Sequence, residues 1–303
     1  MPALHLLITT HTTRHLRRTL LGAAYQHRRP DSVIVACDND RPDVRELVQA
    51  CSAEFADRLP DGIGIVHRPG LGQPAVSQTR NNAVRAALAH GATDSDRLIF
   101  HDGDCCPAAE CAERHESLLE TSDTVVAFRI DLTQAQTDAF DEDRVRRAEP
   151  PAPITDAQHQ VLAARHRRYR RAQLLRRLGV PGLVKPHKPK ILSANFAVTL
   201  EAYRAVNGFD EEYLGYGCED DDFTRRVYKA GFRPSVGVAT AIVHHQWHET
   251  RAPARWEDSI GAKRFVQPWT ARCAKGLDSP IPQPTPRLDW FVAGRPDRSL
   301  TIA

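Results

Sequence analysis

The sequence predicts an α/β protein whose parallel β-sheet is connected by crossover helices. Over roughly the first hundred residues, apolar runs of strand length alternate with segments of helical periodicity, and short turns join them. Polar clusters directly follow three of the predicted strands, at residues 9–12, 37–39 and 101–104. Ligands of such sheets bind beyond the carboxyl ends of the strands, so these clusters predict a binding site at one sheet edge.

Four strands and three helices are predicted in the first part of the chain. The strands cover residues 4–9, 32–37, 64–67 and 97–100, and the helices cover residues 15–25, 44–55 and 78–90. The first helix places Leu16, Leu20 and Ala24 on one face, as a helix packed on a sheet requires. The third ends at Gly91, a residue type that favours helix termination. A helix over residues 222–229 and a strand over residues 239–243 follow later in the chain.

Composition indicates a globular protein of a reducing compartment. The chain has 303 residues, of which 41% are hydrophobic, and a formal net charge of +3. This charge is too small to indicate nucleic acid as a partner. The first residues enter a strand without the features of a signal peptide, and no apolar run is long enough to span a bilayer. Seven cysteines, an odd number, argue against a disulfide framework, and we expect a cytoplasmic protein.

A polar and then strongly basic segment, residues 132–190, interrupts the alternation; we call it the basic insert. Its apolar positions have helical spacing and are Leu162, Leu174, Leu175 and Leu178. Three interpretations stay open: a solvated helical excursion, a mobile lid or acceptor platform, and a contact surface for an anionic membrane or nucleic acid. Near the end of the chain, alternating prolines at residues 280–286 predict an extended segment along the surface.

Two acidic clusters, HDGD at residues 101–104 and EDDD at residues 219–222, carry the clearest chemical signal. Asp102 and Asp104 follow a buried strand and point to the same side of an extended chain. Two carboxylates so placed can hold a divalent cation and a sugar or nucleotide hydroxyl. The second cluster carries more negative charge than a helix start requires, which indicates a base and acceptor-binding groups. Mutual repulsion within this cluster is expected to raise at least one carboxyl pKa.

Each polar cluster also has a purely structural interpretation. The first acidic cluster could cap the turn into a helix after Pro107, and the second could be only the first turn of a helix. Asp38 could be an ordinary turn residue, and His244, His245 and His248 could form the polar edge of a strand.

The cysteines near the first cluster raise the question of zinc. A zinc site could be written from five residues: His101, Cys105, Cys106, Cys111 and His115. Because Cys105 and Cys106 are adjacent, they do not match the spacing of a zinc knuckle and would point to opposite faces of an extended chain. The spacing therefore argues against structural zinc.

The order of several separated motifs resembles that of family 2 glycosyltransferases of the GT-A fold, with an acceptor-side half similar to that of galactosyltransferases. The motifs are TTHTTR (residues 9–14), an aspartate after the second strand, QTRNN (78–82), DGD (102–104), NGFDEEYLGYGCEDDDF (207–223) and HHQWH (244–248). The resemblance implies a Rossmann-like nucleotide-binding sheet flanked by helices, with a helical basic insert. It divides the chain into a donor-binding half (1–131), the basic insert (132–190), an acceptor-binding and catalytic half (191–275) and a Pro-rich tail (276–303).

The resemblance also implies a role for each matching residue on the donor side. Thr10, His11 and Arg14 match the turn that wraps the nucleotide of a sugar donor. Asp38 matches the carboxylate that binds the base, commonly uracil. Arg80 and Asn81 match the pair near the diphosphate and ribose. In the DxD pair, Asp104 is expected on the metal, and Asp102 is expected nearer the ribose.

On the acceptor side, Asp220 matches the general base of relatives, which implies inversion in one step. The expected acceptor-binding residues are Tyr216, Glu219, Asp221 and Trp247. The HHQWH segment matches a metal-binding segment, with His245 the first choice, His248 the second and His244 the third. The implied cofactor is Mn²⁺ or Mg²⁺, because oxygen ligands with an imidazole suit these ions. The implied partners are a nucleotide diphosphate sugar, most simply UDP-linked, and a carbohydrate or small-molecule acceptor.

Two functions of other classes compete with a metal-dependent, inverting hexosyl- or N-acetylhexosaminyltransferase. A sugar nucleotidyltransferase shares the α/β sheet and paired acids, but the turn after the first strand lacks the Gly-rich run with Arg and Lys that such enzymes carry. A non-catalytic protein could instead use the basic insert to bind an anionic ligand, and peripheral membrane contact through the insert is a related alternative.

Overall fold

A mixed β-sheet with helices on both faces forms the body of the protein in the computed structural model, which describes residues 2–179, 182–215, 217–249 and 259–302. The strands are β1 (Leu4–Thr10), β2 (Ser32–Cys37), β3 (Ile63–His67), β4 (Arg97–Asp102), β5 (Cys105–Pro107), β6 (Thr124–Val126), β7 (Phe128–Asp131), β8 (Asn195–Thr199), β9 (Pro234–Val236), β10 (Ile242–His245), β11 (Arg287–Phe291) and β12 (Arg298–Thr301). The helices are α1 (Leu16–Ala24), α2 (Pro42–Glu54), α3 (Val76–Ala89), α4 (Cys111–Leu119), α5 (Gln134–Asp138), α6 (Glu142–Arg146), α7 (Asp156–Arg177), α8 (Leu200–Ala205), α9 (Glu219–Lys229) and α10 (Ile260–Phe265).

The centre of the large sheet is parallel, as the sequence predicts. Its strand order is β12-β11-β3-β2-β1-β4-β8-β6-β9, and the neighbours from β3 to β4 run parallel. In this register Thr10 pairs with Cys37, and Thr9 pairs with Asp102. The three polar strand ends therefore meet at one edge. The flanks differ from the prediction of a parallel sheet, because β8 is antiparallel to both β4 and β6, and β11 is antiparallel to β3.

Two hydrophobic layers cover the two faces of the sheet. Because side chains alternate along a strand, Leu7 of β1 packs in one layer, while Leu6 and Ile8 pack in the other. Helices α1, α2 and α4 cover the Leu6 side, and α3, α8 and α9 cover the Leu7 side. All of these apolar side chains are buried, so the burial of apolar surface fixes which face each helix covers.

A second, three-stranded sheet in the order β5-β10-β7 positions the HHQWH segment. Strand β10 pairs antiparallel with β5, which follows the DGD turn directly, and parallel with β7. In this register His245 lies opposite Cys105 on one side and Asp131 on the other. Two segments more than a hundred residues apart in the chain thereby meet at the first acidic cluster.

The basic insert is largely helical, as predicted, and α7 is its main element. A capping box of Thr155 and Gln158 starts α7, and Leu162, Tyr169 and Gln173 are its buried side chains. The predicted apolar face is wrong toward the end of the helix, where Leu174 and Leu178 are each 60% exposed. Tyr169 and Gln173 fill the inward positions instead, and the side-chain amide of Gln173 donates to the carbonyl of Pro234 at 2.7 Å.

The C-terminal region joins the main sheet after the proline segment. Residues 287–291 form β11, which adds an antiparallel strand to β3, and Trp290 and Phe291 are buried there. The sequence reasoning assigned no strand to this region. Within the described ranges, no helix has the length and apolarity needed to cross a membrane. All seven cysteines are buried.

Candidate active site

Arg80 joins the two acidic clusters that the sequence singles out. It lies on α3, is 3% exposed, and places Nη2 3.5 Å from Oδ1 of Asp102. Its Nη1 lies 3.3 Å from Oε1 of Glu219 and 3.9 Å from Oδ1 of Asp220. Burial alone would lower the pKa of Arg80, but the three carboxylates outweigh it and the pKa is raised. One buried cation therefore holds the end of β4 beside the start of α9.

The DGD turn packs tightly against the end of β1. The backbone N–H of Gly103 donates to the carbonyl of Thr9 at 2.8 Å, and a Cβ atom at Gly103 would lie 2.7 Å from Oγ1 of Thr10. Only glycine fits at this approach. The turn sends Asp102 toward Arg80 and Asp104 toward the HHQWH segment. Burial and the Asp104 carboxylate raise the pKa of Asp102, with Arg80 opposing them.

Asp104, His245 and His248 form a group of side chains that could hold a metal ion; we call it the carboxylate cluster. Their ligand atoms all lie within 4.8 Å of one another. Oδ2 of Asp104 is 3.0 Å from Nε2 of His248 and 3.5 Å from Nε2 of His245. One carboxylate and two imidazoles are a donor set that suits a divalent transition metal. The structure thus brings together the three residues that the sequence predicts as metal ligands.

Asp131 orients His245 within the carboxylate cluster. Its Oδ1 lies 3.0 Å from Nδ1 of His245, which leaves Nε2 of that ring directed at Asp104. Burial lowers the pKa of His245, but the hydrogen bonds to Asp104 and Asp131 outweigh it and raise the pKa to about 9. Burial raises the pKa of the Asp104 carboxyl, but its hydrogen bonds to His245 and His248 outweigh burial and hold this pKa well below its usual range. In the metal-free protein His245 is therefore cationic at neutral pH.

His244 lies outside the carboxylate cluster, although it precedes His245 directly. Because successive side chains of a strand point to opposite faces, its ring enters the protein interior and is 2% exposed. Burial lowers the pKa of His244 to about 4. His244, the third choice for a metal ligand in the sequence prediction, therefore does not lie beside Asp104.

The second acidic cluster forms the first turn of α9, as predicted, and the turn before it is unusual. Cys218, the residue before the helix, has φ 63°, a conformation that side chains with a Cβ rarely adopt. The helix N-terminus favours the carboxylates that follow. Burial and the neighbouring Asp220 raise the pKa of Glu219 against the opposing effect of Arg80. The predicted rise of at least one carboxyl pKa is thus found at Glu219.

The four acids of this cluster have different partners. Oδ2 of Asp220 accepts from the backbone N–H of Ser193 at 3.3 Å, while Oδ1 is buried and accepts no hydrogen bond within the described residues. Asp221 binds Nζ of Lys190 at 3.2 Å. Asp222 forms ion pairs with Arg225 and Arg226 at 2.8 and 2.7 Å. Asp222 therefore belongs to the core, whereas one buried oxygen of Asp220 lacks a hydrogen-bond donor among the described residues.

Asp38 is largely occupied within the chain. Oδ1 accepts from Nη2 of Arg68 at 2.8 Å and from the hydroxyl of Thr79 at 3.0 Å, and Oδ2 accepts from the backbone N–H of Ala75 at 2.9 Å. A carboxylate offers about four lone-pair sites, so one remains for a ligand. Asp38 thus positions the start of α3 whether or not it also contacts a base.

Asn81 requires a correction to the predicted donor contact. It is fully buried; its Nδ2 donates to the Phe209 carbonyl and to Glu211, each at 2.9 Å. Its Oδ1 accepts from the Tyr203 hydroxyl at 2.7 Å and the Phe209 N–H at 3.0 Å. All four hydrogen bonds of the amide are made within the core, which leaves none for a nucleotide sugar.

The remaining predicted residues lie at the rim of the site. His11 and Arg14 are exposed in the turn after β1, and Thr10 folds its hydroxyl onto the carbonyl of Thr12 at 2.8 Å. Trp247 is 39% exposed, and its backbone N–H donates to Thr137 of the basic insert at 2.8 Å. Tyr216 lies outside the described residues.

Three residues at the site escaped the sequence reasoning: Asp131, Arg129 and Lys190. Arg129 places Nε 2.9 Å from Oδ1 of Asp131. Each is a single charged residue at an edge of the basic insert or just before it, in a region rich in charge. The register of β7 against β10 is the only feature that singles out Asp131, and it becomes visible only in the fold.

Comparison with known proteins gives the fold a name. Residues 1–349 of S. aureus TarS in complex with UDP-GlcNAc superpose with a TM-score of 0.51 at 14% identity, covering 82% of this chain and 60% of that one. GalNAc-T7 with UDP, GalNAc and Mn²⁺ gives a TM-score of 0.53 at 14% identity, covering 87% and 47%. Residues 183–249 match the family described as the N-terminal domain of galactosyltransferase. The protein has the GT-A fold with a galactosyltransferase-like segment.

Curated relatives match this chain over a short stretch, which is a small part of their own length. β-1,4-Galactosyltransferase 6 of Rattus norvegicus is 37% identical over 65 residues, which are 20% of this chain and 17% of that protein. β-1,4-Galactosyltransferase 5 of Homo sapiens is 38% identical over 64 residues, 20% and 16% of the two chains. The family match includes α9 and the HHQWH segment, so the resemblance to galactosyltransferases predicted from the sequence is confirmed there.

Proposed function

We propose that this protein is a metal-dependent, inverting glycosyltransferase that moves a hexose or N-acetylhexosamine from a UDP-linked donor to an acceptor hydroxyl. The observation that carries this proposal is the position of Arg80 between Asp102 on one side and Glu219 and Asp220 on the other. A donor held at the strand ends and an acceptor held at α9 would meet at this cation. Two reactants fixed side by side in this way react far faster than free in solution.

The donor side draws support from the fold and from the carboxylate cluster. The structural neighbours TarS and GalNAc-T7 were crystallised with UDP-GlcNAc and with UDP, GalNAc and Mn²⁺. In this chain Asp104, His245 and His248 would hold the divalent ion, and Asp102 would bind a ribose hydroxyl. When bound, the ion would neutralise charge that develops on the diphosphate leaving group. Two imidazoles in the donor set favour Mn²⁺ over Mg²⁺.

The acceptor side rests on Asp220. Its buried Oδ1 is free to accept the proton of an acceptor hydroxyl, and Ser193 holds the other oxygen in place. The carboxylate would take that proton as the hydroxyl oxygen forms the new glycosidic bond and the nucleoside diphosphate departs from the opposite face. Lys190, at the end of the basic insert, contacts Asp221, which supports the insert as part of the acceptor platform.

Ligand-dependent thermal unfolding tests the donor proposal. UDP, GDP, CDP and dTDP are each added with Mn²⁺, with Mg²⁺ and with a chelator. A ligand at a hundred times its dissociation constant adds about 2.7 kcal/mol of stability. We expect stabilisation by UDP that requires Mn²⁺. Absence of any shift with all four nucleotides would contradict the proposal.

Substitution of the base tests the acceptor proposal. Asp220→Asn is expected to lower transfer by about 10²- to 10⁴-fold, because a general base contributes that much, and to leave UDP binding intact. Transfer is measured as UDP release against a panel of sugar acceptors. The matched control is Asp57→Asn, an exposed carboxylate far along the chain from both clusters. Normal turnover in Asp220→Asn would refute the assignment of the base.

A further inference from the structure

A second group of side chains that could bind a metal ion lies in the protein interior, separate from the carboxylate cluster. His101 of β4 and Cys111 and His115 of α4 bring one ligand atom each within 4.8 Å of one another. Nε2 of His101 is 3.9 Å from Sγ of Cys111. None of these residues belongs to the proposed donor or acceptor site. We call this group the interior cluster.

The local structure explains why these three residues meet. Cys111 and His115 are four residues apart on α4, so their side chains share one face of the helix. His101 directly precedes Asp102 on β4, and alternation along the strand directs it away from the donor site. Cys105 and Cys106, which made the sequence spacing look wrong for zinc, are not members of the group.

The interior cluster has unused nitrogen atoms in a dry environment. His101 is 2% exposed, and Cys111 and His115 are fully buried. Nδ1 of each ring has no hydrogen-bond partner within the described residues. Buried polar atoms are normally paired, and the contact given within the group is the 3.9 Å between Nε2 of His101 and Sγ of Cys111, so the unpaired nitrogen atoms point to a ligand held among the three side chains.

Asn195 fixes which nitrogen of His115 is free. The amide of Asn195 donates from Nδ2 to the carbonyls of Phe128 and Ala241, both at 2.8 Å, so its Oδ1 must act as acceptor. This oxygen lies 2.8 Å from Nε2 of His115, which must therefore carry the proton. The lone pair of His115 is left on Nδ1. A carbonyl oxygen behind a histidine ring is the usual support of a metal-bound imidazole.

Both rings are in the protonation state that metal binding requires. Burial lowers the pKa of His101 to about 3 and that of His115 to about 4, so each is neutral at pH 7. Burial raises the pKa of the Cys111 thiol, which would release one proton when a metal ion binds.

We propose that His101, Cys111 and His115 bind one zinc ion that ties α4 to β4. Two imidazoles and a thiolate suit zinc and do not suit Mn²⁺ or Mg²⁺. In a tetrahedral zinc site the nitrogen and sulfur ligands lie about 3.6 Å apart, close to the 3.9 Å between Nε2 of His101 and Sγ of Cys111, so the ligand atoms would be this Nε2, this Sγ and Nδ1 of His115. Three protein ligands leave one coordination position for water or another small ligand.

Metal analysis of the purified, untagged protein tests this proposal. We expect about one zinc per chain in the wild type and loss of most of it in Cys111→Ser and in His115→Gln. Cys51→Ser is the matched control, because Cys51 is also buried, at 1% exposure, but lies on α2 outside the group. Asp104→Asn should retain zinc, which separates this site from the carboxylate cluster.

Cobalt substitution adds a readout on the wild-type protein itself, for which no variant has to fold. Protein refolded with Co²⁺ should show a thiolate-to-cobalt charge-transfer band, which Cys51→Ser keeps and Cys111→Ser loses. Zinc content equal in Cys111→Ser and wild type would overturn the proposal. So would a wild-type protein that takes up neither zinc nor cobalt on refolding. Neither result bears on UDP binding, which is measured separately.

Discussion

The carboxylate cluster and the interior cluster contain the same residue type, histidine, in opposite states. His245 of the first is held by two carboxylates, Asp104 and Asp131, and its pKa is raised to about 9. His101 of the second has no carboxylate partner among the residues that the structure describes, and burial lowers its pKa to about 3. The two strands that carry them, β10 and β4, each send one side chain toward the donor site and its neighbour into the interior.

The charge of a buried imidazole in this protein depends on its neighbours as well as on its burial. Both rings are desolvated, which disfavours the cation. At His245 the hydrogen bonds to two anions outweigh that cost, whereas a ring beside His101 is another neutral histidine, His115. The carboxylate cluster therefore contains a cationic histidine that must release a proton before it can bind a metal, whereas the histidines of the interior cluster are already neutral. Four experiments test this contrast between the two clusters.

The largest effect is expected from Asp104→Asn, which removes the carboxylate shared by His245 and His248. Manganese affinity should fall by more than the 10- to 100-fold typical of residues that only support a ligand. Mn²⁺-dependent stabilisation by UDP should disappear with it. Titration calorimetry with Mn²⁺ measures the change, and Asp57→Asn, with the same change of charge at an exposed position, should bind as the wild type does. Unchanged Mn²⁺ affinity in Asp104→Asn would exclude it as a ligand.

The pH dependence of metal binding should come next in size. The pKa of His245 is raised to about 9, so below that pH a proton competes with the metal for Nε2. Apparent Mn²⁺ affinity should therefore rise about tenfold per pH unit, or up to about 100-fold between pH 7 and 9. In the metal-free protein, the raised pKa of His245 also stabilises the fold. This stabilisation is fully present at pH values below 6.5, the pKa of histidine in the unfolded chain, and it is lost as the pH rises to about 9. Affinity that is flat from pH 7 to 9 would contradict the raised pKa.

Asp131→Ala tests whether orientation of His245 matters once Asp104 is intact. Loss of the partner at Nδ1 should weaken Mn²⁺ binding by about 10- to 100-fold and move the pH dependence to lower pH. Asp138→Ala, an exposed aspartate at the end of α5, is the control and should change neither. Unchanged Mn²⁺ affinity and an unchanged pH profile in Asp131→Ala would mean that Asp131 does not support His245 as a metal ligand.

The smallest metal effect is expected from His244→Ala. Its ring is buried on the opposite face of β10, so Mn²⁺ affinity should stay within about twofold, while the free energy of unfolding should fall by about 1–3 kcal/mol. Urea unfolding and calorimetry on the same samples separate the two quantities. A loss of Mn²⁺ affinity comparable with that of Asp131→Ala would mean that the two faces of β10 are not independent.

The central fold was predictable because its signals are local. The helices that follow β1 to β3 show apolar positions at helical spacing, and the strands between them are short and almost wholly apolar. Strands β6, β9 and β12 have three or four residues each, too few for a period to be visible. Strand β11 follows prolines and pairs with β3 more than two hundred residues earlier in the chain, so its role depends on a contact that the sequence does not display.

The candidate site shows the same division. The DGD and EDDD motifs were found because several acids stand together in each, and the structure brings both to Arg80. Asn81 was misjudged, since only the packing of α3 reveals that its amide faces Tyr203 and Phe209 in the core. Asp131 was missed because a lone acid in a charged segment looks like any solvated side chain.

The shared counter-ion Arg80 limits how this protein can be recombined with others. Its guanidinium comes from α3 in the first half of the chain, and two of its three carboxylate partners come from α9 in the second. A chimera that replaced residues 183–249 with a foreign segment lacking acids at these positions would leave the buried cation with one of its three carboxylate partners, Asp102. A chimera must therefore keep the acids in the first turn of α9 as partners of Arg80. Substitutions that aim to change the proposed acceptor specificity are better placed in the loops around this turn.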